Sequence, residues 1–304
     1  MHGHAHAGHD HGHNHAHHHP APSDKRYTIA IALNLSFVLI EGAAGFFANS
    51  TALLSDAAHN LSDVLGLALA GGAAWLAKRQ AGEQRTYGYS KATVLAALAN
   101  ALVLVIACGG ILWEATSRFF RPEDTQPFFV MAVATIGVAI NGGTAMLFLA
   151  GRKEDVNVRG AYMHMLADAG VSAAVIVAGA AIWLTAWQWI DPAISIAVVL
   201  LILWGTWGLL RESLDLALDA APRGIDVAQV RSFLATQPGV TAVHDLHIWA
   251  MGATKPAMTA HLVRPEGGDD VFLSALSSEI AHRFGIKHVT IQTERTERED
   301  CVEC

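Results

Sequence analysis

Charged side chains are scarce in this sequence. Only 15% of its 304 residues are Asp, Glu, Lys or Arg, where a soluble domain has about 25%. That shortage excludes a water-solvated surface over most of the chain. Cysteine is nearly absent, at three residues, which excludes a disulfide framework. Cys108 lies inside an apolar run and reads as a small buried hydrophobe. No basic patch interleaved with aromatics occurs, so despite a formal net charge of -7 nothing points to nucleic acid. GxSxG, a phosphate-binding glycine loop, CxxCH and HExxH are all missing, which removes the common hydrolase, nucleotidase, haem and zinc-protease readings. No cleavable signal peptide is visible, and the first apolar span would itself direct insertion.

What is present is hydrophobicity in long runs. Apolar residues make up 52% of the chain. Six segments, at about 28–48, 52–77, 91–115, 127–150, 157–187 and 191–211, are each long enough to cross a hydrocarbon core of ~30 Å. Their Lys and Arg residues are unevenly placed. With the N-terminus inside, the inner loops carry Lys25, Arg26, Lys78, Arg79, Arg85, Lys91, Arg152, Lys153 and Arg159, against Arg118 and Arg121 outside. The positive-inside rule therefore puts both termini in the cytoplasm. The chain divides into a tail over 1–24, a membrane domain over 25–212 and a cytoplasmic domain over 213–304. The tail holds ten histidines within its first twenty residues, cannot form a core, and suits soft metal gathering. Residues 213–304 read as α-β-β-α-β: a helix over 226–236 capped by Asp226, strands over 240–251 and 257–264, a helix from Asp269 or Asp270 to Gly285, and a strand over 289–293. That order suits a small two-layer α+β domain. Dimerisation would help stabilise so short a unit.

One pattern carries chemistry. His59-Asn60-Leu61-Ser62-Asp63 in the second span and His164-Met165-Leu166-Ala167-Asp168 in the fifth both read HxLxD. Residues i and i+4 share a helix face, so each helix presents one imidazole and one carboxylate to the same point. Two such faces make a His2Asp2 shell. Intramembrane carboxylates are costly and mark function. A divalent cation would cancel both charges, and four N/O donors suit tetrahedral Zn2+. Hard Mg2+ and Ca2+ prefer all-oxygen shells, whereas Co2+, Ni2+ and Cd2+ remain alternatives. Protons compete for the same ligands, so metal binding releases protons. Alternating exposure of the site would then exchange metal for protons. A channel is disfavoured because conduction needs weak or multiple sites; a metal sensor would leave the buried shell unexplained. Asp56 shares this helix face and either lines the path behind the ligands or sits in water at the outer helix end. Glu41 is the further acid expected to face the cavity. Asn34, Asn100 and Asn141 are expected to hydrogen-bond between helices.

The stretches LLSDAAHNLSDV, RTYGYSKATVLAALANA, AYMHMLADAGVS, VHDLHIWAMG and HVTIQTE resemble the cation diffusion facilitator family, its zinc-exporting branch in particular. They cover almost everything from 28 to 295. The resemblance implies a six-helix membrane bundle with a cytoplasmic ferredoxin-like αββαβ domain. It also implies a homodimer and proton-coupled metal export with no organic cofactor, hence a transporter and not an enzyme. Its intramembrane site maps onto His59, Asp63, His164 and Asp168. Its cytoplasmic metal site maps onto His244, His261 and Glu294, with His247 close by. On a regular strand, 244 and 247 would face opposite ways, so both serve one site only through a bulge. The CxxC of Cys301 and Cys304 resembles the tails of some animal members and offers zinc thiolates. Some members carry histidines between spans two and three; here residues 78–90 offer only Glu83. A Lys that opens span three in some members, Lys91 here, would pair with Asp215 or Asp219. The Ala- and Gly-rich spans suggest a bacterial inner membrane.

Overall fold

The computed structural model describes residues 25–121, 123–149 and 156–296. The histidine tail and Cys301 and Cys304 lie outside the described residues, as do Arg152 and Lys153.

Six long helices come first: α1 (Lys25–Phe47), α2 (Thr51–Ala77), α3 (Ala92–Phe120), α4 (Pro127–Phe148), α5 (Val156–Thr185) and α6 (Ile190–Ala217). At 1.5 Å per residue even the 22 residues of α4 reach roughly 33 Å. Five of the helices are long and apolar enough to cross a membrane, and α1 adds the apolar stretch Ala32–Phe47. Helices α3 and α6 each run beyond the apolar run that marks them in the sequence. Polar residues continue both: Arg118 Nε lies 3.0 Å from Glu114 Oε1, one turn back on α3, and Arg223 reaches Glu212 of α6 at 3.0 Å. A helix stops when its backbone stops, not when the hydrocarbon does.

The helices pack as α4 on α5 and α3 on α6, with α2 against α1, α3 and α6. One core joins Phe37, Leu53, Val130, Ala134 and Val175. A second joins Leu104, Cys108, Val198, Val199 and Ile202, so Cys108 is buried as expected. Gly137 lets α4 approach closely, since a Cβ there would sit 2.7 Å from the Phe37 ring and 2.9 Å from Ser172 Oγ.

The remainder folds as α7 (Val227–Ala235), β1 (Ala242–Gly252), β2 (Lys255–Val263), α8 (Asp270–Phe284) and β3 (His288–Glu294). Asp226 caps α7 by accepting from the Ala228 and Gln229 amides, and Asp269 caps α8 through the Phe272 amide. Gly285, at φ 73°, closes α8 in the left-handed conformation that glycine favours. The sheet order is β1-β2-β3; β1 and β2 run antiparallel, and β2 and β3 parallel across α8. Helix residues Val230, Phe233, Leu234, Leu276 and Ile280 pack on Ile248, Met258, Ala260 and Leu262 of one sheet face. The other face is left to polar side chains.

The β1–β2 turn meets the start of α3. The Ala253 amide donates to Thr93 Oγ1 at 3.0 Å, and Lys255 Nζ to Ser90 Oγ at 3.3 Å. Lys91 pairs with Asp219, which resolves the choice between Asp215 and Asp219.

Candidate metal centres

Helix α2 starts where Ser50 caps it, accepting from the Leu53 amide. Buried Asp191, at the head of α6, reinforces that cap. Its carboxylate accepts from Ser50 Oγ at 2.5 Å, from the Thr51 amide at 2.7 Å and from Thr51 Oγ1 at 2.8 Å. One turn further, Ser55 and Ser195 hydroxyls meet at 2.7 Å. These bonds fix the height and rotation of α2 against α6.

That placement turns His59 and Asp63 toward His164 and Asp168 of α5. His164 Nε2 lies 3.1 Å from Asp63 Oδ2 and 3.6 Å from Asp168 Oδ2. His59 Nε2 lies 3.8 Å from Asp63 Oδ2 and 3.6 Å from Asp168 Oδ1. Each imidazole thus reaches both carboxylates, and the two rings stand edge-on at 6.1 Å. His59, Asp63 and Asp168 each present a donor atom within 4.8 Å of the others. The structure therefore brings together all four side chains read from the HxLxD repeat. Buried His59 Nδ1 has no hydrogen-bond partner among the described residues.

The four are unequally covered: Asp168 is 2% exposed, but His59 22%, Asp63 28% and His164 40%. Along α2, residues 51–60 are mostly buried, whereas nearly all of 61–77 are exposed or half-buried. The helix pair is sealed at the Ser50–Asp191 end and looser at the end bearing the C-terminal domain.

On the sealed side, Glu41 and Asp56 are fully buried. The Asn60 amide donates to Glu41 Oε2 at 3.2 Å and to Asp56 Oδ1 at 3.5 Å, and Ser172 donates to Asp56 Oδ2 at 2.9 Å. Asp56 is thus one turn behind the ligand cluster, not at a water-exposed helix end. Asn34 donates to Met165 Sδ at 3.5 Å, across helices as expected. Asn141 departs from expectation: it is buried, and among the described residues neither of its side-chain polar atoms has a hydrogen-bond partner. Three participants were not singled out from sequence. Asn60 and Ser172 lie inside the quoted motifs, and Asp191 was signalled only as an acid beside Pro192 at the head of a span.

A second cluster lies on the polar sheet face. His244 and His261 are directly opposed on β1 and β2, their rings edge-on at 5.2 Å. Glu294, at the end of β3, lies 3.2 Å from His244 Nε2 through Oε2 and 3.2 Å from His261 Nδ1 through Oε1. All three offer donors within 4.8 Å of one another. Gln292 donates to Glu294 Oε1 at 2.8 Å. The bulge needed to turn His247 toward this face exists: His244 pairs with His261 but His247 with Thr259, so β1 carries an extra residue. At the bulge Asp245 has φ 49°. Its Oδ1 lies 2.7 Å from His247 Nε2 and its Oδ2 3.5 Å from His261 Nε2. The neighbouring imidazoles, His247 first, hold the Asp245 carboxyl below the usual carboxylate range. His247 therefore serves Asp245 and does not reach Glu294.

Two family models match the chain. The cation efflux transmembrane domain covers residues 27–216, and the cation efflux protein cytoplasmic domain covers 222–296. The metal cation efflux system protein CzcD of Cupriavidus metallidurans is 38% identical over 268 residues, 88% of this chain and 85% of the relative. The zinc transporter ZitB of Escherichia coli is 36% identical over 273 residues, 89% and 87%. A cadmium, cobalt and zinc/H(+)-K(+) antiporter of Bacillus subtilis is 33% identical over 272 residues, 88% and 87%. Among solved structures, the metal-bound C-terminal domain of CzcD shares 38% identity, covering 23% of this chain and 99% of that one, with a TM-score of 0.20.

Proposed function

The chain belongs to the cation efflux family of multi-pass membrane transporters, and from that premise we propose that it exports Zn2+ in exchange for protons. The metal is held by His59, Asp63, His164 and Asp168. The observation that carries this reading is the crossed geometry of the four side chains, in which each imidazole of α2 and α5 meets both carboxylates at 3.1–3.8 Å. Two carboxylates held that close need a cation between them. Two imidazoles and two oxygens are the donor set of tetrahedral Zn2+. When metal leaves, protons take its place on the same side chains. Glu41 and Asp56 line the route beyond the site. Cd2+ and Co2+, named for the Bacillus relative, are the competing cargoes.

The uneven cover of the site supports alternating access. Asp63 and His164 are reachable from the end bearing the C-terminal domain while the Ser50–Asp191 end is closed. That is the arrangement of a carrier ready to load from the cytoplasm, and both termini are assigned there. The His244, His261 and Glu294 cluster is a second, non-transported metal site, to which the thiols of Cys301 and Cys304 add donors. The protein works as a homodimer in a bacterial inner membrane. The test of the transport site is zinc stoichiometry in purified protein. Asp63→Ala and Asp168→Ala should each lose one bound ion per chain, and retention of all ions in both variants would contradict the ligand set.

A further inference from the structure

We propose that Asp245 is the positioning residue of the C-terminal metal cluster: its carboxylate accepts a hydrogen bond from Nε2–H of His261 and so directs Nδ1 to the metal. The inference rests on reading His244, His261 and Glu294 as a metal site, and the donor set fits one, since all three converge on one point. His261 has one ring nitrogen on each side of that geometry. Nδ1 faces Glu294 Oε1 at 3.2 Å, while Nε2 faces Asp245 Oδ2 at 3.5 Å. A neutral imidazole that binds metal through Nδ1 must carry its proton on Nε2. A carboxylate on the far nitrogen fixes that tautomer, orients the ring and makes it a better donor.

The backbone is shaped for this contact. Asp245 has φ 49°, a left-handed conformation that a side chain adopts at a cost. The bulge between His244 and His247 places it there. Without the extra residue, regular alternation would send the residue after His244 to the apolar face, against α7 and α8. His247 completes the arrangement: at 2.7 Å from Oδ1 it holds the carboxylate so that Oδ2 is left for His261.

The two roles open to Asp245 separate in the Asp245→Gly variant. Glycine is at ease at φ 49°, so if Asp245 served only the turn, the variant would be at least as stable and bind metal unchanged. If the carboxylate positions His261, stability holds while metal affinity falls. The experiment uses the full chain in detergent with Asp63→Ala and Asp168→Ala in the background, so that Zn2+ titrated against a chelating dye reports on the C-terminal cluster. Asp245→Gly should weaken Zn2+ binding by about 10–100-fold, with an unchanged or raised melting temperature. Asp245→Asn, which keeps the side-chain shape, should also weaken it. In metal-free protein labelled with 15N-histidine, His261 should be the Nε2–H tautomer in wild type and a mixture in Asp245→Gly. Unchanged zinc affinity in Asp245→Gly, or a His261 tautomer indifferent to it, would overturn the proposal. Glu294→Ala is the control: if it leaves zinc binding in that background untouched, the metal-site reading itself fails and takes the proposal with it.

Discussion

At the residue scale, Asp63 and Asp168 are the expensive choices. A carboxylate at the bilayer centre costs roughly 2.5–3.5 kcal/mol on insertion scales, and here two of them share two imidazoles. Removing one should therefore relieve the fold and ruin the carrier. Asp63→Ala and Asp168→Ala are each expected to abolish zinc flux while circular dichroism and gel filtration remain as in wild type; flux near the wild-type rate in either would contradict the assignment. His59→Asp replaces a borderline nitrogen with a hard oxygen, so transport should broaden toward harder ions such as Mn2+. Competition assays with a panel of divalent ions check this, and unchanged selectivity would remove His59 from the ligand set. These four residues were legible because an i, i+4 repeat of His and Asp within apolar runs has few other uses. Asp245 was not, because nothing in VHDLHIW announces that β1 takes on an extra residue; only the pairing of His247 with Thr259 does.

At the element scale, α2 depends on a neighbour far away in sequence. Its first turn is capped by Asp191, 140 residues away along the chain from Thr51, and a carboxylate so distant cannot be matched to a helix start by local pattern. Asp191→Ala leaves the Thr51 amide and two hydroxyls without their acceptor, at about 1–3 kcal/mol for each buried donor left unsatisfied. The variant should melt lower and transport poorly although His59, Asp63, His164 and Asp168 are intact; a wild-type melting temperature would show that the cap is dispensable. Helix existence and order were readable from apolar run length, and the caps Asp226 and Gly285 from turn chemistry, which left Asp269 and Asp270 to be told apart by the structure. The ends of α3 and α6 were not, since polar residues carry each helix past its apolar part, with the i, i+4 pair Arg118–Glu114 on α3 and Glu212 of α6 held by Arg223 beyond its end. In the C-terminal domain, Leu262 is fully buried between the helices and the sheet. Leu262→Ala should destabilise that domain by about 2–5 kcal/mol, read as an earlier unfolding step, without changing zinc occupancy at His59 and Asp63.

At the scale of the whole molecule, the proposed carrier closed at the Ser50–Asp191 end and looser at the other would stand at one half of a transport cycle. The β1–β2 turn, resting on Ser90 and Thr93 at the start of α3, ties the C-terminal domain to the chain segment leaving α2. On the proposed reading the histidine tail gathers metal, so deleting residues 1–20 should lower apparent affinity modestly; full loss of transport would show that the tail is essential. The most direct test of the account is zinc flux into proteoliposomes loaded with a fluorescent Zn2+ indicator, run with and without an imposed pH gradient. Flux that follows the gradient and vanishes in Asp63→Ala is the predicted result; flux indifferent to the gradient, or surviving in Asp63→Ala, would contradict proton-coupled carriage by the His2Asp2 site.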